Sequence, residues 1–109
     1  IGAFQGTSFK LADMATELQA ADLLVMHACQ KADNGIMQPE DAAMAKLFAS
    51  ELVSRAADHT VQIFGGAGLM EEMPIERLWR DSRLERIWDG TSEIQRHIIS
   101  RSLLRPYEA

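Results

Sequence analysis

The chain has 109 residues, 47% of them apolar and 25% charged, with a net charge of −5 and one cysteine. This composition excludes a disordered chain, and no run approaches the ~18 consecutive apolar residues of a membrane-spanning helix. The length suits a single domain and excludes an enzyme of several hundred residues, unless this is a piece of one. The start at Ile1, not Met, points to a piece.

The opening residues lack the basic and apolar regions of a signal peptide. A lone cysteine forms no internal disulfide, so a reducing compartment is the default expectation. Charge is uneven. Residues 1–75 carry four basic and ten acidic side chains, whereas residues 76–107 carry seven Arg and five acidic ones. An acidic chain without a basic face argues against nucleic acid. The Arg-rich last third reads as a solvated or salt-bridged surface, the sharper alternative being phosphate or carboxylate recognition.

The patterning is helical throughout. From Ser8 to about Ala32, apolar residues at Leu11, Met14, Leu18, Ala21, Val25 and Ala28 draw one stripe on a long helix. Thr7 or Ser8 is expected to cap its start and Gly35 to end it. Cys29 reads as a small packing residue. A second helix opens at Pro39, where a missing N–H costs nothing, with Glu40 and Asp41 on its positive end. Its wide apolar face runs through Met44, Leu47, Phe48, Leu52, Val53, Ala57 and Val61. Gly65-Gly66-Ala67-Gly68 stops it. A shorter helix follows Pro74, and a last one runs from just after Gly90 to about Leu104, ended by Pro106. Ser92-Glu93-Ile94-Gln95 has the form of a capping box.

Two long and two shorter helices predict an all-α fold, an antiparallel up-and-down four-helix bundle. Such a bundle buries ~65% of its unfolded surface. Phe4, Trp79, Trp88 and Tyr107 flank the helices, so the surface is expected to be incomplete and to favour oligomers.

No metal site is expected, because His27, His59 and His97 fall on different helices without neighbouring ligands. The glycine run holds a GxG, but it follows a helix and position 71 is Glu, which rejects a dinucleotide fingerprint. Its bare backbone still admits close approach of a ligand. In Trp88-Asp89-Gly90-Thr91-Ser92, a carboxylate stands just before a glycine and a helix start. Free N–H groups there suit an anion such as a pyrophosphate, and a carboxylate beside it is placed as a base would be. Read on its own, Asp89 is first a turn residue ahead of a cap and only second a base.

Five segments together resemble a known family. Phe9-Lys10-Leu11-Ala12-Asp13-Met14-Ala15, Ala43-Met44-Ala45-Lys46-Leu47, Gln62-Ile63-Phe64-Gly65-Gly66-Ala67-Gly68, Glu76-Arg77-Leu78-Trp79-Arg80-Asp81-Ser82-Arg83 and Asp89-Gly90-Thr91-Ser92-Glu93-Ile94-Gln95-Arg96 look like the C-terminal helical domain of acyl-CoA dehydrogenases, in order and spacing. The resemblance implies that residues 1–109 are one domain of a longer FAD enzyme whose N-terminal helical and middle β domains are absent. It implies that Gln62, Gly65 and Gly66 reach the ADP part of a neighbouring subunit's FAD. Thr91 and Glu93 would contact its phosphates or ribose, and Phe4 and Gln5 would lie near FAD.

The resemblance further implies α,β-dehydrogenation of an acyl-CoA thioester, with Asp89 as the base and Asp89-Gly90 at the substrate. Many members carry Glu at this position, and some branches supply the carboxylate from a helix upstream. Asp here also resembles nitroalkane oxidases and some dehydrogenases of cyclic acyl-CoAs. The implied partners are a second copy in a homodimer or homotetramer and an electron-accepting flavoprotein. The implied compartment is the bacterial cytoplasm or the mitochondrial matrix, the former favoured. The alternatives are a non-catalytic helical interaction module and a related flavin oxidase using Asp89 as base.

Overall fold

A computed structural model describes residues 1–108. Four α-helices follow in order: α1 (Gln5–Asp33), α2 (Pro39–Phe64), α3 (Pro74–Ser82) and α4 (Ser92–Leu104). Short 3-10 turns over Gly65–Leu69, Arg83–Arg86 and Arg105–Tyr107 join or end them. Among the described residues there is no strand.

The helix ends follow local chemistry. α1 begins earlier than its hydroxyl residues suggest. Neither Thr7 nor Ser8 caps it; both donate their N–H to the Phe4 carbonyl, at 2.9 and 2.8 Å. Gly35, in the left-handed region at φ 69°, ends the first helical segment as expected. At α2 the Asp41 carboxylate accepts from the Gln38 N–H at 3.0 Å, while the Asp41 N–H donates to the Gln38 carbonyl at 3.0 Å. Lys31 at the end of α1 donates to the same carboxylate at 3.1 Å, closing the loop between α1 and α2.

α4 is capped by Thr91, not by a Ser92–Gln95 box. The Thr91 hydroxyl oxygen accepts from the Ile94 N–H at 3.2 Å. Ser92 and Gln95 are both buried, and their polar groups are used elsewhere.

α2 is the central element, against which α1, α3 and α4 each pack. Of its expected apolar face, Leu52 and Ala57 are buried and Leu47, Phe48 and Val61 half-buried, whereas Met44 and Val53 stay exposed; Ala43 and Ala45 are buried in addition. α1 has a single large neighbour, so only half of its stripe is covered. Ala21 and Ala28 are buried and Met14 is half-buried, while Leu11, Leu18 and Val25, displaced by one helical step, stay exposed. Cys29 is also exposed, contrary to the packing role expected of it.

The accessible surface is 7844 Å². A compact protein of this mass would expose about 6,000 Å², and its unfolded chain about 17,500 Å². Folding therefore buries nearer ~55% of the unfolded surface than the ~65% expected of a closed bundle. The radius of gyration, 17.0 Å, likewise exceeds the roughly 13 Å of a compact chain of this length.

Candidate functional site

The turn between the Arg83–Arg86 segment and α4 is built by convergence from α2. Lys46 Nζ, half-buried, donates to the Gly90 carbonyl at 2.6 Å and to the Glu85 carbonyl at 2.8 Å. Five residues further along α2, Glu51 Oε1 accepts from the Ser92 hydroxyl at 2.6 Å, and Glu51 Oε2 lies 3.6 Å from Arg86. The Gln95 amide reaches back from α4 towards the Asp89 and Gly90 carbonyls, 3.4 Å from each.

Asp89 sits at the centre of this scaffold with φ 53°, a left-handed conformation for a residue bearing a side chain, and its carboxylate is exposed. Gly90 follows at φ 96°. The conformation calls for glycine, and the missing Cβ, which would lie 2.6 Å from the mobile end of Gln95, leaves room for that amide. Among the described residues, no acceptor is bonded to the Asp89 N–H. Thr91 is half-buried and spends its oxygen on the helix N–H, leaving its own O–H free to donate. Glu93 is exposed in the first turn of α4.

The other expected ligand residues lie elsewhere. Gln62, Gly65 and Gly66 are exposed at the far end of α2. At about 1.5 Å per residue, Gly65 is about 28 Å along the helix from Lys46. α1 runs antiparallel to α2, with Met14 beside Thr60 and Glu17 paired to Arg55 at 3.0 Å, so Phe4 and Gln5 belong to the glycine end. One copy thus presents two separate clusters, Phe4, Gln5, Gln62, Gly65 and Gly66 at one end and Asp89, Gly90, Thr91 and Glu93 at the other. Nothing lies within 4 Å of where a Cβ would stand on Gly65 or Gly66, so their backbone is open to close approach from outside.

Of the seven Arg in the Arg-rich segment, Arg80 holds Glu76 at 2.7 Å and Arg86 faces Glu51 at 3.6 Å, while the other five are exposed without an ion pair among the described residues. A cavity of about 540 Å³ between α2 and α3, lined by Arg55, Asp58, Trp79, Arg83 and Arg86, lies apart from Asp89. No group of three His, Cys, Asp or Glu side chains able to hold a metal occurs among the described residues, and none of their helices is long and apolar enough to cross a membrane.

Residues 1–104 match the acyl-CoA dehydrogenase C-terminal domain family. The chain belongs to that family. An acyl-CoA dehydrogenase of Bacillus subtilis (strain 168) is 52% identical over 104 residues, 95% of this chain and 27% of the relative. Butyryl-CoA dehydrogenase from Megasphaera elsdenii superposes with a TM-score of 0.93 at 43% identity, covering 95% of this chain and 27% of that one. The FAD complex of PigA superposes with a TM-score of 0.90 at 36% identity, over 94% of this chain and 27% of that one. This acyl-CoA dehydrogenase domain therefore spans about a quarter of the length of the curated relatives it matches.

Within the domain, Lys46, Glu51 and Gln95 were not singled out by the sequence motifs as site residues. The signal that marks two of them is a charge inside an apolar face: Lys46 and Glu51 interrupt the buried side of α2, where a charge needs a specific partner.

Proposed function

We propose that this domain is the FAD-contacting, oligomerising part of a longer acyl-CoA dehydrogenase, and that Asp89 takes the α-proton of the acyl-CoA thioester. The observation that carries the reading is the exposed Asp89 carboxylate, held in a left-handed turn directly before the capped start of α4. A base on a fixed turn keeps its geometry without waiting for the loop to order. The free Asp89 N–H is a donor for a thioester oxygen, which gains negative charge as the α-proton leaves.

The residues present fit a flavin dinucleotide. The open backbone at Gly65 and Gly66 admits a flat or extended ligand at contact distance. The Thr91 hydroxyl has a proton to donate to a phosphate or ring oxygen. The Glu93 carboxylate repels phosphate and suits ribose hydroxyls. FAD, when bound, accepts the β-hydride. The separation of the two clusters supports a cofactor shared across an interface, each copy giving its glycine end to the partner's FAD. The surplus surface, with Leu11, Leu18 and Val25 uncovered, supports self-association. An electron-accepting flavoprotein would then reoxidise the reduced enzyme.

The test is Asp89→Asn in the full-length enzyme. FAD stays bound and exchange of the thioester α-protons with deuterated water is lost. Exchange at the wild-type rate would overturn the assignment.

A further inference from the structure

We propose that Lys46 is a positioning residue that fixes the reach of the Asp89 carboxylate, an inference that rests on Asp89 being the base. Asp has only two side-chain torsions, so a shift of its backbone is passed almost undiminished to its carboxylate. The position of the turn is therefore the position of the base. The local bonds of the turn, from the Ile87 and Trp88 N–H groups to the Leu84 carbonyl, stop short of Asp89. Asp89 takes a left-handed φ of 53°, which Asp tolerates better than most residues with a Cβ but which still costs energy, so contacts beyond it help to fix the backbone there.

The contact that holds it comes from far away in sequence. Lys46, on α2, binds the carbonyls of Glu85 and Gly90 with one ammonium, at 2.8 and 2.6 Å. These two carbonyls bracket the segment from Arg86 to Asp89. The ammonium makes no ion pair among the described residues. Its hydrogen bonds go to backbone oxygens that any loop sequence would supply. A half-buried lysine spent on two carbonyls is a geometric clamp, because a neutral helix residue there would pack as well without ordering the turn. Gln95 grips the turn from the α4 side, at 3.4 Å from the Asp89 and Gly90 carbonyls, a longer and weaker contact. Glu51 fixes the start of α4 just beyond the turn, through Ser92. Lys46 is thus the strongest tether on the backbone that carries the base.

The experiment uses the full-length flavoenzyme with Lys46→Met, Lys46→Arg, Asp89→Asn and the Lys46→Met/Asp89→Asn pair. Thioester α-proton exchange is measured per bound flavin, alongside thioester affinity. Lys46→Met is expected to slow exchange about tenfold to a hundredfold, the loss that follows from misplacing a reacting group by about 1 Å. Affinity stays unchanged, Lys46→Arg recovers most of the rate, and the double variant is no slower than Asp89→Asn alone. A Lys46→Met rate within about twofold of wild type, with Asp89→Asn inactive, would overturn the clamp and leave the base standing. The clamp is equally overturned if Lys46→Arg is as slow as Lys46→Met, or if Lys46→Met weakens thioester affinity by the factor by which it slows exchange. Wild-type exchange in Asp89→Asn would instead remove the base and the clamp with it. If Lys46→Met yields no flavin-loaded protein, Lys46→Gln, which keeps a neutral donor, is read against the same limits.

Discussion

The hydroxyl of Ser92, itself buried, donates to Oε1 of the half-buried Glu51 at 2.6 Å, joining the first residue of α4 to the middle of α2. The bond replaces the capping role that a serine at a helix start would ordinarily take. Thr91, one residue earlier, assumes that role instead. The charge on Glu51 therefore helps to set where α4 begins, and with it the turn at Asp89.

This contact predicts an acid-sensitive contribution to stability. The Ser92 hydroxyl holds the Glu51 carboxyl below its ordinary value of 4.5; partial burial opposes the effect, and the positive charges of Arg86, Arg96 and Arg55 add to it. A depressed carboxyl stabilises the fold fully above its unfolded value, and that stabilisation is lost as pH falls through the folded one. Glu51→Gln keeps an acceptor for Ser92 but loses the charge, so it is expected to cost about 1 kcal/mol at neutral pH. Thermal unfolding of wild type and variant should converge as pH drops below 4.5. A gap that stays constant across that range would refute the linkage.

The glycines at the end of α2 separate a packing role from a ligand role. A Cβ on Gly68 would stand 2.9 Å from the Val61 carbonyl oxygen and 3.1 Å from Phe64 Cβ, both fixed parts of the helix. Gly68→Ala is therefore expected to destabilise the fold by about 1–3 kcal/mol. Gly66 meets nothing within 4 Å, and Gly66→Leu should leave unfolding almost unchanged. In the full-length enzyme, on the proposed reading, the same Leu would block a flavin from approaching the backbone. FAD occupancy, read from flavin absorbance per protein, should fall. Full occupancy in Gly66→Leu would remove the glycine end from the cofactor site.

Much of this architecture is legible from sequence. Apolar spacing shows all four helices, proline starts mark α2 and α3, and glycine stops follow α1 and α2, because those ends are governed by local chemistry; the start of α1, three residues before Ser8, is not marked this way. The pairing of those helices is less legible. The heptad-like stripe of α1 gives no sign that Ala21 and Ala28 would be covered while Leu18 and Val25 stay open; the division depends on which neighbours α1 has. The cap of α4 falls one residue before the expected one because Ser92 is claimed by Glu51, which lies 41 positions away. Asp89, the proposed base, stands out through its motif. Lys46 stands out only as a charge inside an apolar face; what it binds is not legible, since its partners are backbone carbonyls, which leave no trace in residue type.

The left-handed turn predicts an unusual substitution pattern at Asp89. Asp89→Gly relieves the conformational penalty at φ 53° but adds flexibility to the unfolded chain, and the two effects are each about 1 kcal/mol. Its stability should lie within about 0.5 kcal/mol of wild type. Asp89→Val puts a β-branched residue in the same conformation and should cost at least about 1–2 kcal/mol. Denaturant unfolding of the two variants separates these outcomes. Equal stabilities would mean that residue 89 does not need the left-handed backbone.

The uncovered surface predicts association of the domain with itself. Its exposed area exceeds that of a compact protein of equal mass by about 1,800 Å², about twice the ~800 Å² that each partner gives to a standard stable interface. Leu11, Leu18 and Val25 recur at every second turn of α1, so a second helix laid along them would bury a continuous row. At micromolar concentration the domain should sediment as a dimer or larger species. Leu18→Glu places a charge in the middle of that row and should shift the population to monomer while leaving the helical signal intact, because Leu18 is 65% exposed within one copy. A wild-type domain that remains monomeric, or a Leu18→Glu variant that associates as wild type does, would show that this face of α1 is not the one through which copies meet.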